Sequence, residues 1–79
     1  MAAADRPKRY TAYIQWNRQR GYYAGYIPGI GGTESWGDDM DDLKGNLRDN
    51  LTRRLRERPV RAQPEVKPRP GFRRIDIKA

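Results

Sequence analysis

The chain has 79 residues, no cysteine, no histidine and a net charge of +7. A chain of this length forms one small domain with a thin core, burying roughly 60% of the surface of its unfolded form. The absence of cysteine excludes disulfides and thiolate metal sites, in keeping with a reducing cytoplasm. No apolar run reaches the length of a membrane span, and the charged start does not fit a secretory signal. We therefore expect a cytoplasmic protein with no membrane partner.

The positive charge is unevenly distributed along the chain. Residues 1–20 carry a net +4, residues 21–47 carry −4, residues 48–58 carry +3 and residues 59–79 carry +4. The middle of the chain is therefore acidic, and the basic residues belong to its two ends and to the second half of one predicted helix.

Alternating β-favouring residues over 10–16 predict the first strand. Tyr10 and Trp16 fall on the same face as Ile14 and are expected in the core, whereas Tyr13 falls on the opposite face. A polar turn follows the strand.

Two further short strands are predicted over residues 22–27 and 33–36. Pro28 ends the earlier of them, because proline has no N–H to donate to a sheet. The glycine-rich segment 29–32 is interpreted as a turn, since it lacks the lysine and hydroxyl residue of a phosphate-binding loop.

The segment 39–58 has the pattern of an amphipathic helix. Asp39 is a suitable N-cap, acidic residues follow in the first turn, arginines crowd the last turn, and Pro59 ends the helix. Gly45 inside it costs about 1 kcal/mol relative to alanine. The apolar stripe expected to face the sheet consists of Met40, Leu43, Leu47, Leu51 and Leu55.

The remaining segments complete the predicted organisation. Residues 1–7 are predicted as a disordered lead, 8–58 as the domain core and 59–71 as a proline-rich connector. Residues 72–79 are predicted either as a final strand or as a tail that becomes ordered on a partner. The order strand–strand–strand–helix–strand indicates an α+β fold, in which a small antiparallel sheet packs one face against the helix.

Catalysis is not expected. Histidine and cysteine, the commonest general base and soft nucleophile, are absent, and Thr33 and Ser35 have no visible activating partner. The four aspartates over 38–42 are explained by helix capping and the helix dipole rather than by a divalent cation. We expect no enzyme activity, no cofactor and no metal.

The sheet face turned away from the helix is expected to carry uncovered aromatic rings, which in a small protein indicate a dimer or a partner. The residues assigned to contact with a partner protein are Tyr13, Tyr26, Ile30, Trp36 and Phe72. An alternative set that could follow a nucleic-acid backbone comprises Arg18, Arg20, Arg53, Arg54, Arg56, Arg73 and Arg74. For the helical arginines a solvated helix end is the favoured explanation, because charge runs usually form solvated faces.

A series of features follows in order between Gly21 and Leu51. A Gly-Tyr strand ends in proline, then come an aliphatic residue and a glycine, a Gly-Asp pair, acidic residues that open a helix, and an Asn-Leu pair. The residues are Gly21, Tyr22, Tyr23, Pro28, Ile30, Gly32, Ser35, Gly37, Asp38, Asp41, Asp42, Asn46, Leu47 and Leu51. In this order and at this spacing they resemble the HicB-like antitoxin family of prokaryotic toxin–antitoxin systems.

The resemblance implies a partial ribonuclease-H-like fold without that fold's catalytic carboxylates. It also implies a cognate toxin, a small messenger-RNA nuclease of the double-stranded-RNA-binding type, whose active site the antitoxin covers, and association as a homodimer. Family members often carry a C-terminal DNA-binding domain, for which residues 59–79 are too short and too rich in proline. The basic ends leave an alternative open, a basic nucleic-acid-binding or regulatory protein that reuses the same fold, for example one derived from a mobile element.

Overall fold

The computed structural model describes residues 9–57 and 67–78. The elements in chain order are β1 (Arg9–Asn17), β2 (Tyr22–Tyr26), β3 (Ser35–Gly37), α1 (Met40–Glu57) and β4 (Arg73–Lys78). The predicted α+β class and the predicted order of elements are confirmed. The predicted lead over 1–7 and most of the predicted connector lie outside the described residues.

The four strands form one antiparallel sheet in the order β3-β2-β1-β4. The three strands before the helix are neighbours in space, and β4, the last in sequence, lies on the other side of β1. Its pairing runs from Arg73 opposite Ile14 to Lys78 opposite Arg9. The end of the described chain is therefore a strand of the sheet rather than a detached tail.

The turn between β1 and β2 is closed by hydrogen bonds to Asn17. The N–H of Gly21 donates to the Asn17 carbonyl at 2.7 Å, and the N–H of Arg20 donates to the Asn17 side-chain oxygen at 3.1 Å. Gly21 has a φ of 73°, which glycine adopts at low cost. This turn sets the register in which Trp16 lies opposite Tyr23.

The hydrophobic core lies between α1 and the sheet face that carries Ile14. Leu43, Leu47 and Leu51 are fully buried, and burial of each leucine contributes about 1.5–3 kcal/mol. The first and last residues of the predicted stripe, Met40 and Leu55, are half-buried against this core. The rest of the core comprises Tyr10, Ala12, Ile14, Ile27, Ile30 and Ile77.

The start of α1 is capped as predicted. The Asp39 carboxylate accepts a hydrogen bond of 2.8 Å from the Asp42 N–H, and the Asp39 carbonyl accepts one of 3.1 Å from the Leu43 N–H. An N-cap of this kind satisfies a backbone N–H that has no partner within the helix.

Two asparagines on α1 hold the edge strand β3. The Asn46 side-chain amide donates to the Trp36 carbonyl at 2.6 Å. The Asn50 amide donates to the Ser35 hydroxyl at 2.8 Å and to the Glu34 carbonyl at 3.4 Å. Backbone acceptors along this edge are therefore occupied by side chains of the same domain, which guards the edge against pairing with another chain.

Thr33 organises the loop between β2 and β3. Its buried hydroxyl accepts a hydrogen bond of 3.1 Å from the Ile27 N–H and donates one of 2.7 Å to the Ile30 carbonyl. These bonds draw the loop inward, and the side chain of Ile30 is 6% exposed within the core.

Trp16 does not lie in the core, contrary to the prediction. Tyr10 is buried as expected, but Trp16 is 47% exposed. Trp16 lies at the end of β1 next to the turn, where its ring contacts Tyr23 at a centroid distance of 4.7 Å. Trp16 is the last residue of β1 on the helix side, beside the exposed β1–β2 turn, and α1 leaves nearly half of it open to solvent.

Within the described part of the chain, no helix is long and apolar enough to cross a membrane.

Candidate partner-binding surface

The sheet face opposite α1, termed the outer face, is defined by the strand register. Tyr13 lies opposite Tyr26, and Ala24 lies opposite Trp36, so these four side chains share one face. Because successive side chains of a strand alternate between faces, this is the face opposite that of Ile14. The predicted aromatic face is therefore present in the fold.

Part of the outer face is covered by the segment that leads into β4. The Arg69 guanidinium lies over the Tyr26 ring, 4.3 Å from its centroid, and the Arg69 N–H donates to the Tyr26 hydroxyl at 3.2 Å. The Phe72 ring packs edge-on against Tyr26 at a centroid distance of 5.3 Å. Residues 69–72 thus lie over this part of the outer face and cover it.

Tyr13 is buried beneath this covered part, which corrects its assignment to partner contact. Its ring packs edge-on against Tyr26 at 5.7 Å, and only 8% of Tyr13 is exposed. Tyr26 and Phe72 are half-buried, so parts of their rings still reach the surface.

Trp36 lies on the uncovered part of the outer face and is 55% exposed. Ala24, directly opposite it on β2, has only a methyl side chain. Together with Tyr26 and Phe72 they line a shallow slot of about 170 Å³, whose rim carries Arg69. A partner side chain can enter such a slot between aromatic walls.

Acidic groups flank Trp36 on its other side. Tyr22, Trp36, Asp38 and Asp42 line a second depression of about 340 Å³, together with Asn46. Asp38 and Asp42 are both exposed. The four residues Tyr22, Trp36, Asp38 and Asp42, with the slot over Ala24, are termed the Trp36 patch below.

Ile30 is only 6% exposed, at the base of a depression of about 410 Å³ beside the loop 28–34, which corrects its assignment to partner contact. It belongs to the core because Thr33 turns the loop inward, as described above. Of the five residues assigned to partner contact, Trp36 is the most exposed, and Tyr26 and Phe72 form its neighbouring wall.

The alternative arginine set is divided among separate places. Arg18 and Arg20 belong to the β1–β2 turn, close to the start of α1, because Gly37 pairs with Tyr23 near that turn. The helical arginines lie at the opposite end of α1, where Arg54 approaches the Gly32 loop and pairs with Glu57 at 3.1 Å.

Arg73 and Arg74 point to opposite faces of β4. Arg73 pairs with Ile14 and so lies on the helix side, whereas Arg74 pairs with Tyr13 on the outer face. The seven arginines therefore do not form one continuous basic surface.

Several residues around Trp36 in the candidate surface were absent from the predicted contact set. Tyr22 was not assigned because the face of a strand residue just after a turn is ambiguous in the sequence. Asp38 and Asp42 were not assigned because helix capping and the helix dipole already explain these aspartates. The position of Arg69 over Tyr26 had no local signal, since it depends on the path of the chain across the sheet.

Among residues 9–57 and 67–78, no group of three or more acidic residues is placed to hold a metal ion. The carboxylate of Asp39 is engaged in capping α1.

No family model, no curated protein and no solved structure matches this chain.

Proposed function

We propose that this protein is a non-catalytic protein-binding module of the antitoxin type, which occludes a small RNA-cleaving toxin through the Trp36 patch. One observation carries the proposal: Trp36 is largely exposed on the part of the outer face that residues 69–72 leave uncovered, and exposed carboxylates border it. Tryptophan and tyrosine are enriched among the residues that dominate binding energy at protein interfaces.

The local charge suits a basic partner, although the whole chain is basic. Residues 21–47 carry a net −4, and Asp38 and Asp42 place part of that charge beside the Trp36 ring. A protein that cleaves RNA needs a basic surface to hold the phosphate backbone. An acidic patch that covers this surface would prevent RNA from binding, so occlusion requires no chemistry in the antitoxin.

The proposal includes a HicB-like, partial ribonuclease-H-like domain. The strand–strand–strand–helix–strand order supports it, as do the structural roles of the residues that carry the resemblance. A Cβ at Gly37 would collide with backbone atoms of Leu43 and Asp42, and Asn46 bonds the β3 edge. The spacing of the Gly-Asp and Asn-Leu pairs therefore corresponds to the docking of α1 on β3.

The division of the arginines favours protein binding over the nucleic-acid alternative. Binding to a phosphate backbone through several contacts requires basic groups along one path. The β1–β2 turn and the last turn of α1, which carry most of these arginines, lie at opposite ends of the domain. Arg54 is paired with the Glu57 carboxylate at 3.1 Å, and Arg74 lies 4.0 Å from the Asp76 carboxylate.

Co-expression with each small basic protein encoded beside this chain tests the proposal. We expect one of them to arrest growth alone and to be neutralised by the wild-type chain. The Trp36→Ala variant should lose rescue and complex formation. The Trp16→Ala variant is the matched control, because Trp16 is similarly exposed but lies outside the patch.

A double variant tests the contribution of charge. Asp38→Asn with Asp42→Asn should weaken the complex, and the remaining affinity should depend less on salt. Equal rescue by the Trp36→Ala and wild-type chains would overturn the assignment of the patch. Salt-sensitive binding of an RNA or DNA oligonucleotide that is lost when Arg53, Arg54 and Arg56 are replaced, with no toxin neutralised, would establish the alternative instead.

A further inference from the structure

The two edge strands of the sheet, β3 and β4, differ in how many of their backbone groups are hydrogen-bonded by side chains of α1. At the β3 edge, side chains of α1 bond the carbonyl of Trp36 and that of Glu34, the residue before the strand. On β4, one such bond is present among the described residues, from the Arg48 guanidinium to the carbonyl of Lys78 at the very end of the strand, at 3.2 Å. Within the described part of the chain, the central part of β4 is therefore the edge whose backbone groups remain available for a further strand.

Geometry limits how a second copy of β4 can pair with this edge. On an edge strand, every second residue directs its N–H and carbonyl outward. In an antiparallel pair related by two-fold symmetry, outward-directed residues must face each other, so the symmetry axis passes through a residue position rather than between two residues.

The charges of β4 distinguish among the possible axis positions. With the axis at Ile75, Arg74 of each copy faces Asp76 of the other. With the axis at Asp76, the Asp76 carboxylates of the two copies face each other, and Arg74 of each copy faces Lys78 of the other. With the axis at Arg74, two guanidinium groups face each other. Like charges directly opposite destabilise a strand pair, and opposite charges stabilise it.

Pairing length and side-chain packing favour the same axis. An axis at Ile75 pairs five residues of each β4, whereas one at Ile77 pairs only three and involves the Lys78 carbonyl that Arg48 already occupies. Ile75 is half-buried and packs against the core. At the axis it would meet Ile75 of the second copy with Cβ atoms about 4.5–5.5 Å apart.

We propose that two copies of this protein associate edge to edge through β4, antiparallel, with the two-fold axis at Ile75. The two four-stranded sheets become one continuous sheet, and Arg74 and Asp76 form reciprocal pairs across the junction. The Trp36 patch lies at the opposite edge, next to β3, so each copy keeps it free. The inference does not depend on the proposed function.

Salt should strengthen this association. Three of the charged side chains of β4 are basic, Arg73, Arg74 and Lys78, against one acidic side chain, Asp76, and the whole chain carries +7. The two copies therefore repel each other overall while attracting at the Arg74–Asp76 pairs. Raising the salt concentration above about 0.15 M screens the long-range repulsion more than the close pairs.

Single-cysteine variants test the register, because the chain has no cysteine of its own. Under oxidising conditions, Ile75→Cys should give a disulfide-linked dimer, since the two residues face each other at the axis. Arg73→Cys is the matched control on the same face of β4. Its two copies would lie two residues on either side of the axis, about 13 Å apart along the strands, and should not cross-link.

Charge exchange tests the same interface without touching the core. Sedimentation should show Arg74→Asp and Asp76→Arg each shifting the chain towards monomer, and the double exchange Arg74→Asp with Asp76→Arg restoring the dimer. Circular dichroism of each variant separates loss of association from loss of folding.

A monomer at every protein and salt concentration would overturn the proposal. Equal cross-linking of the Ile75→Cys and Arg73→Cys variants would overturn the register, as would a double exchange that stays monomeric while folded. Loss of the dimer in the Trp36→Ala variant would place the interface on the other edge. None of these outcomes decides whether a toxin binds, so this proposal and the proposed function fail independently.

Discussion

The side-chain amide of Asn46 in α1 donates a 2.6 Å hydrogen bond to the backbone carbonyl of Trp36 in β3. Asn50, one helical turn later, repeats this arrangement at Ser35 and Glu34. Helix and edge strand are thus joined by polar contacts along one side of the apolar stripe. This is also the part of the fold that presents the Trp36 patch.

Replacing both asparagines tests the importance of this junction. We expect Asn46→Ala with Asn50→Ala to lower the free energy of unfolding by about 1–3 kcal/mol, because each removes a hydrogen bond worth roughly 0.5–1.5 kcal/mol. Urea denaturation measures the change. Asp49→Ala is the control, since Asp49 lies between them on α1 and its side chain makes no hydrogen bond to another described residue. Equal stabilities of the double variant and the control would contradict this role.

The buried hydroxyl of Thr33 gives a second prediction. Thr33→Val keeps the shape but leaves the Ile27 N–H without its acceptor, and a buried unsatisfied donor costs about 1–3 kcal/mol. Thr33→Ser keeps the hydroxyl and loses one methyl group, for about 0.8 kcal/mol. Thermal unfolding should therefore place the valine variant below the serine variant. The reverse order would show that the methyl group matters more than the hydrogen bonds.

Gly37 is predicted to tolerate no side chain. A Cβ there would lie 2.8 Å from the Leu43 Cα and 2.9 Å from the Asp42 carbonyl carbon, both backbone atoms of α1. Gly37→Ala should therefore push α1 away from β3 and destabilise the domain by about 1–3 kcal/mol or more. At Gly31 the same change meets no atom within 4 Å. Gly31→Ala should leave the unfolding midpoint nearly unchanged, and a similar loss in both variants would refute the steric explanation.

Replacing Gly45 with alanine is expected to stabilise the domain, in contrast to the same change at Gly37. It lies inside α1, and a Cβ there meets no atom within 4 Å. Because glycine disfavours a helix relative to alanine, Gly45→Ala should raise the free energy of unfolding by about 1 kcal/mol. Chemical denaturation would measure this gain, and a loss of stability would mean that α1 contacts something at Gly45.

The sequence was sufficient to predict the elements because their patterns are local. The leucine stripe, the Asp39 cap and the alternation in β1 each depend on neighbours within one or two turns of chain, and all three are present in the fold. Trp16 was placed wrongly because alternation gives the face of a residue but not the extent of the helix that covers it.

The candidate site was less predictable because it depends on contacts between distant residues. Alternation placed Tyr13 on the outer face correctly, but the crossing of Arg69 and Phe72 over Tyr26 has no signature in a proline-rich segment. Ile30 was misassigned because the hydrogen bond from Thr33 that turns it inward lies within an apparently open glycine-rich loop.

The position of β4 beside β1 has a consequence for synthesis of the chain. Translation produces β1 first and β4 last, yet the two are neighbours in the sheet. Until the ribosome has delivered Arg73–Lys78, one side of β1 offers its backbone groups to any strand nearby, and Ile77 has not yet joined Tyr10. Until β4 pairs with β1, the nascent domain therefore has an unpaired strand edge that can pair with another chain. Neighbouring nascent chains on a polysome are close enough to make such a pairing during that interval.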